Sequence, residues 1–116
     1  MKMKTLLACI ASLLLGIFGT WLLMRPEFSD QEQLFYREVV TRRAKVHAEG
    51  IYYGGGNAIH QSFEWVAACQ KMKPSPFREF ALTVAHSVRN AGDPKGAKEF
   101  LSQADSFTAT YAARMP

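Results

Sequence analysis

The chain has 116 residues, with fourteen Lys and Arg against ten Asp and Glu, for a formal net charge of +4. Two of those positive charges are Lys2 and Lys4. From Arg25 onward twelve bases face ten acids, a near-neutral balance without the electrostatic footprint of a nucleic-acid binder, so no nucleic acid is expected as a partner.

Residues 1–4 form a basic start, and residues 5–24, from Thr5 to Met24, form one unbroken apolar run. Twenty residues rising about 1.5 Å each match a hydrocarbon core of roughly 30 Å, so a transmembrane helix in a lipid bilayer is expected. The run exceeds the apolar core of about 7–15 residues found in a cleaved signal peptide, and it closes on Trp21-Leu22-Leu23-Met24-Arg25-Pro26 with no small-residue cleavage site. A lipoprotein reading at Leu6-Leu7-Ala8-Cys9 fails because too few apolar residues precede Cys9. An uncleaved signal anchor is the expectation. Lys2 and Lys4 precede the run with no acid among them, whereas Glu27, Asp30 and Glu32 follow it, which places the N-terminus in the cytoplasm and residues 25–116 in a periplasmic or other extracytoplasmic space. Ala8, Ser12, Gly16 and Thr20 recur every fourth residue, with Gly19 widening the strip. Such a face admits a second membrane helix, from another copy in a homodimer or from a partner. With Cys9 in the span and Cys69 beyond it, no internal disulfide is expected.

Four helices are predicted after the span, and no alternating run of strand length appears, so the expected class is all-α, with the helices arranged as two hairpins. Ser29 and Glu32 form a capping-box pattern ahead of Phe35, Tyr36, Val39, Val40, Ala44 and Val46, and Gly50 ends that helix. The connector Ile51-Tyr52-Tyr53-Gly54-Gly55-Gly56 reads as a flexible hinge. Asn57 is the expected cap of the second helix, with Ile59, Phe63, Val66 and Ala67 inward and Trp65, Cys69 and Met72 at the border. Ser75 and Pro76 open a third helix, turning Phe77, Phe80, Ala81, Val84, Ala85 and Val88 inward, and Gly92 closes it. Asp93-Pro94 opens a fourth, carrying Ala97, Phe100, Leu101, Ala104, Phe107 and Tyr111.

Ala81, Val84, Ala85, Val88, Gly92, Ala97, Leu101 and Ala104 fall at the spacing of the small and apolar positions of one tetratricopeptide repeat, which the third and fourth helices resemble. Ala81 stands where that pattern carries Trp, and Ala109 where it ends on Pro. The resemblance implies a helical hairpin that binds protein. Separately, Glu49 to Gly56, Lys73-Pro74-Ser75-Pro76 and the end at Met115-Pro116 are similar to periplasmic helical immunity proteins of toxin-secreting bacteria, which carry paired Cys residues that this chain lacks.

Arg43 and His47 lie one turn apart within the apolar stripe of the first helix, where a charge needs a partner: an anion or a partner's carboxylate, or else an acid from another helix. Arg42 and Lys45 complete a basic cluster, with Glu38 and Glu49 spaced for surface ion pairs. Tyr52 and Tyr53 are expected as exposed contacts. His47, His60 and His86 fall on three separate helices, and only His60 with Glu64 has the spacing of a ligand pair, so no metal is expected. The Gly-rich connector lacks the Gly-Lys-Ser/Thr of a phosphate loop, and no cofactor is expected. Cys69 has no neighbouring His at a readable spacing, so no enzyme is expected. The functional expectation is a membrane-anchored, non-catalytic interaction or accessory protein that binds another envelope protein; the alternative is a small tethered inhibitor that neutralises a toxin or lysis effector.

Overall fold

The structure, a computed structural model, describes residues 27–116. The predicted span and its small-residue strip of Ala8, Ser12, Gly16, Gly19 and Thr20 lie outside these residues. Among the described residues no helix is long and apolar enough to cross a membrane. All regular structure in this range is helical: α1 (Asp30–Glu49), α2 (Gly54–Gln70), α3 (Pro76–Ser87) and α4 (Pro94–Tyr111), with short 3₁₀ turns at Val88–Asn90 and Ala112–Arg114.

The caps of three helices follow the sequence. Ser29 Oγ accepts from the Glu32 N–H at 3.2 Å while Glu32 Oε1 accepts from the Ser29 N–H at 2.9 Å, satisfying two orphan donors at the start of α1. Gly50 ends α1 at φ +80°, where its N–H donates to the Val46 carbonyl; a side chain would be strained in this left-handed conformation. Ser75 accepts from the Arg78 N–H and Asp93 from the Gly96 N–H, each with Pro at the next position.

The second helix departs from expectation twice. It begins at Gly54 rather than after Asn57, because Tyr52 is pinned in place: its N–H donates to the Ala91 carbonyl at 2.8 Å and its hydroxyl to Gln61 Oε1 at 3.0 Å. The chain leaves that anchor directly into helix, so the three glycines form its first turn and are no hinge. The inward face is also turned by about one residue, roughly 100°. Ala58, Gln61, Ser62, Trp65 and Cys69 are buried, whereas Ile59 and Phe63 are 39% and 64% exposed and Ala67 is exposed too. The reason is size on one side and smallness on the other. Trp65 fills the centre against Phe35 and Phe100 (ring centroids 5.4 and 6.2 Å), and small Ser62 lets α3 come close enough to accept its hydroxyl hydrogen bond at the Ala85 carbonyl, 2.8 Å.

The packing closes three seams and leaves one open. Helix α1 lies on α4, α4 on α3, and α3 on α2, while α1 and α2 touch only lightly. The sequence places α1 and α2 in a hairpin of their own; of the two expected hairpins only α3 with α4 forms, α2 packs on α3, and α1 crosses to α4 through Phe35, Tyr36 and Phe107. Phe107 is the hub, with Phe77, Phe80 and Tyr111 each at 5.3 Å between ring centroids. Ala81, Val84, Ala85, Val88, Ala97 and Ala104 are all buried in or beside the α3–α4 hairpin. Ala44 of the predicted α1 stripe is exposed.

Candidate functional site

Arg43 and His47, one turn apart on α1, both meet Asp105 of α4. Arg43 Nε donates to Asp105 Oδ1, and His47 Nε2 lies 3.0 Å from the same oxygen. The acid from another helix is therefore the arrangement found. Burial pushes the Asp105 carboxyl up, but hydrogen bonds from His47 and Arg43 outweigh it and hold the group below its ordinary 3.8. A carboxyl held low in the folded state contributes stability that is present above the unfolded value and lost as pH falls through the folded one. Acidification below about pH 3.8 is thus expected to weaken the α1–α4 seam. The three side chains are a third to nearly half exposed, so the loss is less than about 1 kcal/mol. Denaturant unfolding of the wild type and of Asp105→Asn across this range checks it: the variant loses this part of the acid dependence.

Tyr52 is not the exposed contact expected. It is 5% exposed, and burial raises its hydroxyl pKa, with Arg42 opposing and Glu64 and Glu38 adding to the rise. Tyr53 is at the surface, 40% exposed, with its hydroxyl donating to Glu49 Oε1 at 3.2 Å and Lys45 Nζ 4.2 Å from its ring centroid. The predicted pairs Glu38–Arg42 and Lys45–Glu49 do not form, because other groups claim their members. Glu38 Oε2 accepts the Trp65 indole N–H at 3.1 Å, and Lys45 and Glu49 both turn to Tyr53.

Cys69 is fully buried, and burial pushes its thiol up to about 12 against the opposing charge of Arg78. Its sulfur is shut away from solvent in the folded chain. In a Cys9→Ser background, a thiol reagent at neutral pH is expected to label Cys69 only at the rate of unfolding; fast labelling under native conditions contradicts this burial. His60 pairs with Glu64 at 3.0 Å on the exposed face of α2, and among the described residues no group of three metal-ligating side chains forms.

The open seam itself is what sequence reasoning missed. A cavity of about 330 Å³ lies between Arg37, Glu38, Thr41 and Arg42 of α1 and Gln61 and Glu64 of α2. It continues past Glu38 into a second, about 190 Å³, lined by Leu34, Phe35 and Ala68 with Gln31 and Lys71 at its edge. Leu34 is 55% exposed there. The apolar positions Ala58, Ile59, Phe63, Trp65, Val66, Ala67 and Cys69 wrap too much of α2 for one neighbour to cover, but they point to the Ile59–Phe63 flank and not to the seam side of Gln61, Glu64 and Ala68.

No protein-family model, no curated protein and no solved structure matches this chain.

Proposed function

We propose that this chain is a non-catalytic, membrane-tethered helical protein that binds another envelope protein, with its domain on the extracytoplasmic side. The observation that carries this reading is the half-covered state of α2. Its buried edge packs on α3, one flank opens onto the seam with Leu34, and the other presents Ile59 and Phe63 to solvent. Large apolar side chains grouped on one helix of a small domain mark a contact surface more often than isolated ones do. The apolar run at residues 5–24, with Lys2 and Lys4 before it, supports the tether and its orientation.

Affinity capture of the full-length protein from gently solubilised membranes tests it. A stoichiometric foreign protein is expected with the wild type, and Phe63→Asp, a change at an exposed site, is expected to reduce its recovery without shifting the melting temperature. Recovery of this chain alone contradicts the proposal.

A further inference from the structure

One end of the bundle is built around Glu27 and Phe28, immediately before α1. The C-terminal end of α4 reaches it through Arg114, which pairs with Glu27 and lies 5.1 Å from the centroid of the Phe28 ring. The start of α3 reaches it through Phe77, 5.1 Å from Phe28 between ring centroids. The end of α2 closes it across a cavity of about 580 Å³ between residues 27–32 and Lys71, Met72 and Lys73. At the opposite end Gly50 terminates α1 and the Tyr52 N–H donates to the Ala91 carbonyl. The twenty residues of α1 set the two ends about 30 Å apart.

Only Arg25 and Pro26 stand between the apolar run and Glu27. From Met24 to Glu27 the chain reaches at most about 11 Å, and the headgroup layer beyond the hydrocarbon is roughly 5–8 Å thick on each side. A span that ends at Met24 therefore holds Glu27 within the headgroups or directly above them. The side chains around Glu27 carry both signs, with Glu27, Asp30 and Glu32 against Lys71, Lys73 and Arg114. Lys71 and Lys73 are exposed, and among the described residues neither has a carboxylate at salt-bridge distance. Bases able to meet phosphate beside acids able to meet ammonium match a zwitterionic headgroup, and the absence of a net sign leaves the tether, not attraction, to set the approach. Resting on the membrane tether of the reading above, we propose that this end of the bundle is a bilayer-apposed surface covered by zwitterionic phospholipid headgroups, with Lys73 at the membrane and the Gly50–Tyr52 end pointing away. A protein partner is thereby confined to the sides of the bundle and its far end.

The test uses full-length protein carrying Cys9→Ser with Lys73→Cys, Lys95→Cys or Phe63→Cys, each change at an exposed side chain. The new thiol is labelled with bimane, and the protein is reconstituted into phosphatidylcholine vesicles in which part of the lipid bears a nitroxide on its headgroup. With nitroxide in both leaflets, the direction of insertion does not affect the reading. Bimane at position 73 is expected to be quenched at least about twofold more than at position 95, which lies at the far end about 30 Å away. Flotation of the vesicles reports the tether separately. Protein that floats but shows equal quenching at positions 73 and 95, or stronger quenching at 95, overturns the surface while the tether stands. Quenching strongest at position 63 also overturns it, since the domain would then lie on its α2 flank. Protein that does not float with the vesicles removes both the surface and the tether.

Discussion

Replacing Phe107 by alanine is expected to destabilise the domain by about 3–5 kcal/mol, the range for truncating a large buried aromatic. Phe107 is fully buried and its ring lies within 6.0 Å, centroid to centroid, of Phe35 and Tyr36 from α1, Phe77 and Phe80 from α3, and Tyr111 from its own helix. Among the described residues no other side chain joins α1, α3 and α4 through so many rings, and its edge-to-face pairs with Phe35, Phe80 and Tyr111 add about 0.5–1.5 kcal/mol each beyond area burial. Domains of this size are held by roughly 5–15 kcal/mol in total, so the variant is expected to sit near its unfolding midpoint under mild conditions. Denaturant unfolding followed by far-ultraviolet circular dichroism measures this. A loss under about 1 kcal/mol would mean that the cluster around Phe107 does not hold the helices together.

Two glycines in helices are expected to respond to the same substitution with opposite signs. A Cβ at Gly96 would fall 1.6 Å from the Asn90 carbonyl oxygen and 2.3 Å from its carbon, backbone atoms that cannot rotate away. Gly96→Ala therefore forces the start of α4 off the turn at the end of α3, disturbing buried Ala97 and Phe100, and is expected to cost about 3 kcal/mol, the upper part of the range for overpacking. At Gly56, in the first turn of α2, nothing lies within 4 Å of a Cβ. Gly56→Ala is expected to stabilise by up to about 1 kcal/mol through helix propensity and a less flexible unfolded chain. Thermal melting of the pair separates a steric effect from a general aversion to change at glycine. A neutral Gly96→Ala would mean that the α3–α4 approach is looser than described.

The all-helical class was legible because its local signals agree with one another. Ser29 with Glu32, Ser75-Pro76 and Asp93-Pro94 are all real starts, and the inward faces of α3 and α4 follow the helical spacing of their apolar residues. Where the local signal was ambiguous, tertiary contacts decided. In α2 seven of the eleven positions from Ile59 to Cys69 are apolar, including the unbroken run from Trp65 to Cys69, so periodicity could not select a face; the volume of Trp65 and the close approach allowed by Ser62 did. Asn57 resembled a cap, but Tyr52, fixed from the distant Ala91, set where α2 begins. Arg43 and His47 were visible as charges needing a partner, while their acid, Asp105, is 62 and 58 residues away and no spacing rule reaches it. The seam was invisible for the same reason: it exists because α1 packs across to α4 instead of back onto α2.

The measurement that tests the central claim most directly is photo-crosslinking in intact cells. A photoreactive residue placed at Leu34, at Phe63, or at Lys98 on the exposed side of α4 reports which faces meet another protein. A membrane-tethered interaction domain that works through α2 and its open flank predicts a discrete foreign-protein adduct from the first two positions and none from the third. No adduct at Leu34 or Phe63, or equal yields at all three, would contradict it.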